Sequence, residues 1–290
     1  MTTKIIDSVL ETKLHIGGLR RLSMPLSSRS ISLLSTKICQ SKVLFRYGIL
    51  QQLKDVNHSH QMSSNGSGEH PGAIVTFKLT SNDTSTHAKP PLEAIEAFTS
   101  RPDTIFGAMY LALALNHPLS SMAAQSDPDL QTFVESANSN PPESNTAYLL
   151  KHVSAFNPVR ELRAMAAFPA NNLRAYIYKP MPIFVSPYVG IASKTTLAVM
   201  GVPAHATLDH AFWRQNIGDS AIPTVISKVK PGDKELPINK VKFLTPGAGD
   251  KPFTEKGVLN ALCGPFAGLS SDDAIHIFST RIPGISLLNV

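Results

Sequence analysis

A chain of 290 residues with 42% hydrophobic content is long enough for one sizeable domain with extras, and its 22 prolines favour many turns. No apolar run approaches the ~20 residues of a membrane-spanning helix, so a helical membrane protein is excluded and no membrane partner is expected. The net charge of +6 is uneven: residues 1–54 hold nine of the 27 Lys and Arg but two of the 21 acids, which gives that stretch +7 and the rest −1. The basicity belongs to the leader and says little about phosphate binding by the body.

Residues 1–40 are rich in Ser, Leu and Arg, and "GLRRLSMPLSSRSISLLSTK" contains no acid. With the helically spaced "IIDSVLETKL" before it, the segment reads as a cleavable presequence, which implies the mitochondrial matrix. Asp7 and Glu11 run against the acid-poor pattern, and a disordered basic tail on a cytoplasmic protein is the alternative. Residues 41–72 read as a short helix, "LFRYGILQQLKDV" (44–56), and a flexible linker. His58 and His60 in the linker have no acid or cysteine near them, so no metal site is expected. Cys39 and Cys263 lack a C-x-x-C partner and read as free thiols of a reducing compartment.

The folded body is expected over residues 73–283, followed by a tail, 284–290. Strands are expected at "AIVTFKL" (73–79), "LEAIEAF" (92–98), "AMYLALAL" (108–115), "MPIFVSPYV" (181–189) and "TLAVMGV" (196–202). "DPDLQTFVESAN" suits a helix with Asp127 as N-cap and Pro128 at its first position. "TLDHAFWRQN" (207–216) is a short helix with Trp213 in the core. "SSDDAIHIFSTRI" (270–282) is a helix opened by a hydroxyl and acids. Strands in twos and threes before each helix point to an α+β fold, a compact mostly antiparallel sheet or small barrel with peripheral helices.

Between two of these strands lies the polar corner "TSRPDT": the hydroxyls of Thr99, Ser100 and Thr104, the guanidinium of Arg101 and the carboxylate of Asp103. One reading is a turn locked by Asp103, Arg101 and Pro102. The other is a polar pocket whose hydroxyls bind substrate and position water. The residues alone leave both open.

The order of residues adds a resemblance. "FTSRPDTIFGAMYLALALNHPL" resembles the threonine-rich peptide, T-T-R-P-D-T-L-F-G, of the editing domain in leucyl-tRNA synthetases. "LAVMGVPAHATLDHAFW" is similar to that family's G-A-V-M-x-V-P-x-H-D-x-R-D, and "PFTEKGVLNALCGPFAGLSSDDA" to its F-T-E-x-G-V-L-x-x-S-G-x-F-x-G-L-S. The three elements come in family order and resemble a fungal mitochondrial member.

The resemblance implies a hydrolase of misacylated tRNA(Leu), acting on its acceptor end and using no cofactor. A synthesis site cannot reject near-isosteres of leucine well, because one methyl is worth only ~1–3 kcal/mol. It further implies that Thr99 and Ser100 contact substrate or water and that Thr104 keeps leucine out. Arg101 and Asp103 would stiffen the corner. Met200, Val202 and His205 would wall the pocket, and Asp209 would anchor the substrate's α-amino group. Departures are plain: Ala206 and Leu208 stand where the motif has aspartate and arginine, and "SKTTL" (193–197) replaces E-Y-G-T-G, with Lys194 for its tyrosine. No nucleotide-binding halves or K-M-S-K-S-like loop are visible, so aminoacylation by this polypeptide alone is not expected, and another chain would have to supply the synthesis domain. A relic that binds tRNA or a protein partner, or a truncated non-functional gene copy, is the alternative.

Overall fold

The computed structural model describes residues 72–82, 90–139, 146–159, 179–189, 196–229 and 241–288. The expected leader, the 44–56 helix, most of the linker, Cys39, His58, His60, Lys194 and Thr195 lie outside the described residues.

The body opens with β1 (Ala73–Ser81), where Ala73, Val75 and Phe77 are fully buried and the residues between them are not. That alternation is the period of a strand with one face on a core. β2 (Ala94–Thr99) pairs antiparallel with it, Thr99 lying opposite Ala73. The chain then tightens into a 3-10 turn, Pro102–Gly107, before β3 (Tyr110–Leu113). Next come α1 (Pro118–Ala124), α2 (Pro128–Ser139), β4 (Tyr148–Phe156), β5 (Met181–Val185), β6 (Ala198–Gly201) and α3 (Thr207–Asn216). The short strands β7 (Ile222–Pro223), β8 (Ile226–Ser227), β9 (Phe243–Leu244) and β10 (Val258–Leu259) follow, then α4 (Ser271–Arg281) and β11 (Ile285–Leu287).

Six strands close into a barrel in the order β1-β2-β6-β3-β5-β4, with β4 returning to β1. Pairs β2–β6 and β3–β5 are parallel and the other four are antiparallel. This is the α+β fold expected from sequence, a mostly antiparallel small barrel with peripheral helices. β1 makes closure possible by splitting one edge: Lys78–Ser81 pairs with β4, while Ala73–Val75 pairs with β11. The sheet's last strand thus comes from the stretch read as a tail. Closure leaves few unpaired edges.

β3 is buried on both faces, which explains its unbroken apolar run. Leu111 and Leu113 join the main core with Ile183 and Val185, while Tyr110 and Ala112 join a second cluster with Phe184. α3 covers that second cluster with Phe212 and Trp213, and the Tyr110 and Phe212 rings stack at 4.7 Å. Gly201 lies directly opposite Tyr110, and a Cβ there would come within 2.1 Å of the tyrosine ring. Glycine is therefore required by close approach.

Two helix starts follow the expected caps. Asp127 Oδ1 accepts from Asp129 N–H at 3.2 Å and Leu130 N–H at 3.3 Å. Ser270 Oγ accepts from Asp273 N–H at 3.1 Å and donates to Asp273 Oδ2 at 2.7 Å, a reciprocal cap.

Candidate functional site

The polar corner is the link from β2 to β3, and the core fixes its backbone. Ile105 and Phe106 are buried beneath it, and the Phe106 ring lies 5.9 Å from Phe266 and 5.6 Å from Phe278 on α4. Each such side chain contributes roughly 1.5–3 kcal/mol. Asn157 Nδ2 donates to Ile105 O at 2.7 Å, which holds the turn from below.

Within that frame the charged pair is internal. Asp103 is 0% exposed and accepts from both Nε and Nη2 of Arg101, Nε to Oδ1 at 2.9 Å and to Oδ2 at 3.3 Å, and Nη2 to Oδ2 at 2.8 Å. Arg101 Nη1 donates to Thr254 O at 2.9 Å, tying the corner to the 250s loop. Thr99 Oγ1 accepts from Arg101 N–H at 3.0 Å, and Thr104 Oγ1 donates to Arg101 O at 2.7 Å. The locked-turn reading therefore describes the geometry, and the pocket reading is not displaced by it.

A cleft of about 490 Å³ opens above the corner. Thr99, Ser100, Arg101 and Thr104 line one side; Met200, Val202, His205 and Asp209 line the other. Every candidate residue reaches it except Asp103, which lies beneath Arg101 and supports it. Ser100 is exposed at the rim.

Asp209 sits in the first turn of α3 and is almost fully buried. Its Oδ2 accepts from Val202 N–H and its Oδ1 from the Tyr188 hydroxyl, both at 2.7 Å. Burial pushes its pKa up, against the lowering effect of those two bonds. The Tyr188 phenol is in turn pushed far up by burial and by the neighbouring carboxylate. Ala206 is the N-cap of α3 and supplies no side-chain bond to the helix.

His205 is held at both ring nitrogens. Nδ1 lies 2.8 Å from Phe253 O and Nε2 accepts from Val225 N–H at 3.0 Å, a pattern that fixes a neutral ring with the proton on Nδ1. Burial lowers its pKa to about 4. It walls the cleft as a structural pin, and neither nitrogen is left for a ligand.

The sequence reading missed Tyr188 and Thr254, which also line the cleft. The available signal for Tyr188 was the demand of a buried phenol for a partner. Thr254 acts through its backbone carbonyl, which carries no residue signature. Among the described residues, no group of three or more His, Cys, Asp or Glu could hold a metal ion.

Comparison with known proteins gives this geometry a family. A family model described as leucyl-tRNA synthetase, editing domain, matches residues 64–282. The chain is 31% identical over 230 residues to the mitochondrial leucine--tRNA ligase of Saccharomyces cerevisiae, covering 76% of this chain and 22% of that protein. It is also 31% identical over 224 residues to a leucine--tRNA ligase of Shewanella sp., covering 76% of this chain and 21% of that one. Among solved structures, the ternary complex of Agrobacterium radiobacter K84 agnB2 LeuRS, tRNA and LeuAMS matches with TM-score 0.30 and 21% identity over 55% of this chain and 18% of that one. The chain thus spans about a fifth of the length of these curated relatives. With the family model matched across residues 64–282, the chain belongs to the leucyl-tRNA synthetase editing-domain family.

Proposed function

We propose that this cleft hydrolyses the ester between a wrong amino acid and the acceptor end of tRNA(Leu). The observation that carries the reading is the convergence of three hydroxyls and one buried carboxylate on a single cleft. In such a reaction water attacks the ester carbonyl, the bond to the ribose oxygen breaks, and that oxygen takes a proton as the amino acid leaves. An activated ester needs no covalent nucleophile, so the protein's part is to hold the substrate and place the water.

The hydrogen bonds divide the labour. Thr99 accepts from the backbone and keeps its own proton to donate to water or carbonyl oxygen. Thr104 has spent its proton on Arg101 O, so it offers the cleft a methyl and lone pairs. That methyl opposes leucine's branched end, at ~1–3 kcal/mol of discrimination per methyl. Asp209 uses one acceptor position on each oxygen, which leaves a second on each for the α-ammonium group. Burial strengthens that ion pair. Met200 and Val202 supply apolar walls. Arg101 and Asp103 position the corner and do not react.

The basic, acid-poor residues 18–37 and the yeast mitochondrial relative support action in the mitochondrial matrix. A non-catalytic tRNA-binding role is the second reading, favoured by the uncapped α3 at Ala206.

The test is release of amino acid from isoleucyl- or norvalyl-tRNA(Leu) by the purified chain, beside Thr99→Ala and Asp209→Asn. Release that both variants abolish, with leucyl-tRNA(Leu) spared, is the expected result. A folded chain that releases nothing above the uncatalysed rate refutes hydrolysis and leaves the second reading.

A further inference from the structure

The far wall of the cleft is built around one carboxylate. Tyr188 and Asp209 both line the cleft, and each is more than nine-tenths buried. The phenol reaches Asp209 from the turn after β5, and that turn is fixed from several sides. Ser186 N–H donates to Leu113 O on β3 at 2.9 Å, and the Ser186 hydroxyl donates to Thr146 O at 2.8 Å while accepting from Tyr188 N–H at 3.3 Å. Behind the phenol, the Tyr188 ring packs 5.4 Å from Phe212, which stacks on Tyr110 at 4.7 Å. A tyrosine held at both its backbone and its ring delivers its hydroxyl to one place.

Oδ1 of Asp209 takes that hydroxyl and Oδ2 takes the Val202 N–H, both at 2.7 Å. The carboxylate cannot turn about its Cβ–Cγ bond without losing one bond or the other. An ionised carboxylate offers about four acceptor positions, so each oxygen keeps one for a ligand. Filling both, and matching a buried anion, takes a positive group with several N–H donors. A primary ammonium is such a group. The nitrogen of an acylated amino acid has a single N–H and no charge, and seating it would leave the buried anion unmatched.

We infer that Tyr188 is a positioning residue that makes the cleft selective for aminoacyl groups with a free α-ammonium, refusing those whose nitrogen is acylated, as in a peptidyl ester. The inference rests on the proposed function for taking the ligand to be an aminoacyl group. It adds the class that is refused and the phenol that enforces the refusal. Without that refusal, a hydrolase of this ester would also cut a peptide from the same RNA end.

The experiment titrates isoleucinamide and N-acetylisoleucinamide against the whole chain by NMR, since neither has an ester to cleave. Wild type should bind the free amine at least about tenfold more tightly, the scale of a hydrogen bond to a charged group. Tyr188→Phe keeps the ring against Phe212 and removes the hydroxyl. It should bring the two affinities together, through loss of isoleucinamide binding and no gain of the other. Tyr148→Phe removes the same kind of bond elsewhere, 2.8 Å to Asp127 Oδ2 at the cap of α2, and should change neither affinity. In deacylation, Tyr188→Phe should raise the KM for isoleucyl-tRNA(Leu) and leave kcat within about twofold, a split that general loosening of the fold does not produce. Wild type that binds both amides equally or neither, or a Tyr188→Phe chain that keeps the wild-type preference, overturns the inference. Preference for the free amine in a chain that releases nothing from isoleucyl-tRNA(Leu) upholds this inference and sinks the hydrolytic reading. Hydrolysis without that preference sinks this inference alone.

Discussion

Ala206 offers a quantitative check on the geometry of α3. It has the extended backbone of an N-cap, φ −132° and ψ 131°, yet its methyl accepts nothing from the helix N–H groups. The residue is half-buried, so a longer side chain has room to turn back over the first turn. Replacing Ala by Asn or Asp at such a position is worth about 1 kcal/mol, and a negative charge there adds about 0.3–1 kcal/mol through the helix dipole. The buried Asp209 carboxylate lies three residues on and opposes a second charge. At a short separation near the surface that repulsion reaches the same order as the dipole gain. Ala206→Asn should therefore stabilise by about 1 kcal/mol, equivalent to roughly 2–4 °C in Tm for a domain of this size. Ala206→Asp should gain no more than Asn, with the gap closing as salt screens the pair. Thermal melts of the three proteins at low and high salt decide it. If neither substitution raises Tm, α3 does not start at residue 207 as drawn, and the placement of Asp209 falls with it.

Four further outcomes follow from the same contacts. Gly201→Ala should cost about 1–3 kcal/mol by driving a Cβ into the Tyr110 ring, and Tyr110→Leu in the same chain should recover part of the loss on urea unfolding. Arg101→Ala strips the buried Asp103 of its ion-pair partner and should cost about 3–5 kcal/mol, so an unchanged urea midpoint would contradict the pairing. His205 has a folded pKa of about 4, below its unfolded value of about 6.5, so the unfolded state takes up the proton first; stability is fully present above pH 6.5 and falls by about 3 kcal/mol down to pH 4. His205→Gln should remove that fall from the pH profile of unfolding. Tyr188→Phe removes a bond that lowers the Asp209 pKa, so the acid limb of deacylation should move to higher pH, whereas a limb left in place would show that Asp209 does not set it.

Much of the fold was legible because its signals are local. α3 spans residues 207–216 as its pattern implied, and Asp127 and Ser270 cap the helices they announce. β2 is offset from its expected span, 92–98, and β3 is shorter than its expected 108–115, because the 3-10 turn at 102–107 uses Ala108 as its C-cap and strand pairing begins only at Tyr110. β4 went unread because its exposed Leu149, Lys151 and His152 break the alternation, through an irregularity in its pairing with β5 between Leu149 and Ser154. The parallel pairs β2–β6 and β3–β5 were not legible at all, because they depend on which distant segments meet around the barrel. The same limit applies at the site. The corner could be found in one stretch of sequence, but Asp209's dependence on Tyr188 joins residues 21 apart, and Arg101's hold on Thr254 joins residues 153 apart.

Those long-range bonds explain how one corner serves both as a lock and as a pocket floor. Asp103 and Arg101 satisfy each other and anchor the backbone, which removes the two strongest groups of the corner from competition for ligand. What remains toward the cleft is neutral: a Thr99 proton, the Ser100 hydroxyl and the lone pairs of Thr104. The one anionic group on the opposite wall, Asp209, is itself braced by a backbone N–H and a phenol. A neutral floor facing a braced anion favours a ligand with a positive end and a polar, uncharged reacting centre, which are the two features of an aminoacyl ester. A free amino acid carries its carboxylate where the ester carbonyl would sit, facing hydroxyls with no cation left unpaired among them, because Arg101 is already spent on Asp103. Product should therefore bind more weakly than substrate. Inhibition of deacylation by free isoleucine well above the KM for isoleucyl-tRNA(Leu) is the expected result, and inhibition at or below that KM would mean that Arg101 leaves Asp103 to meet the product.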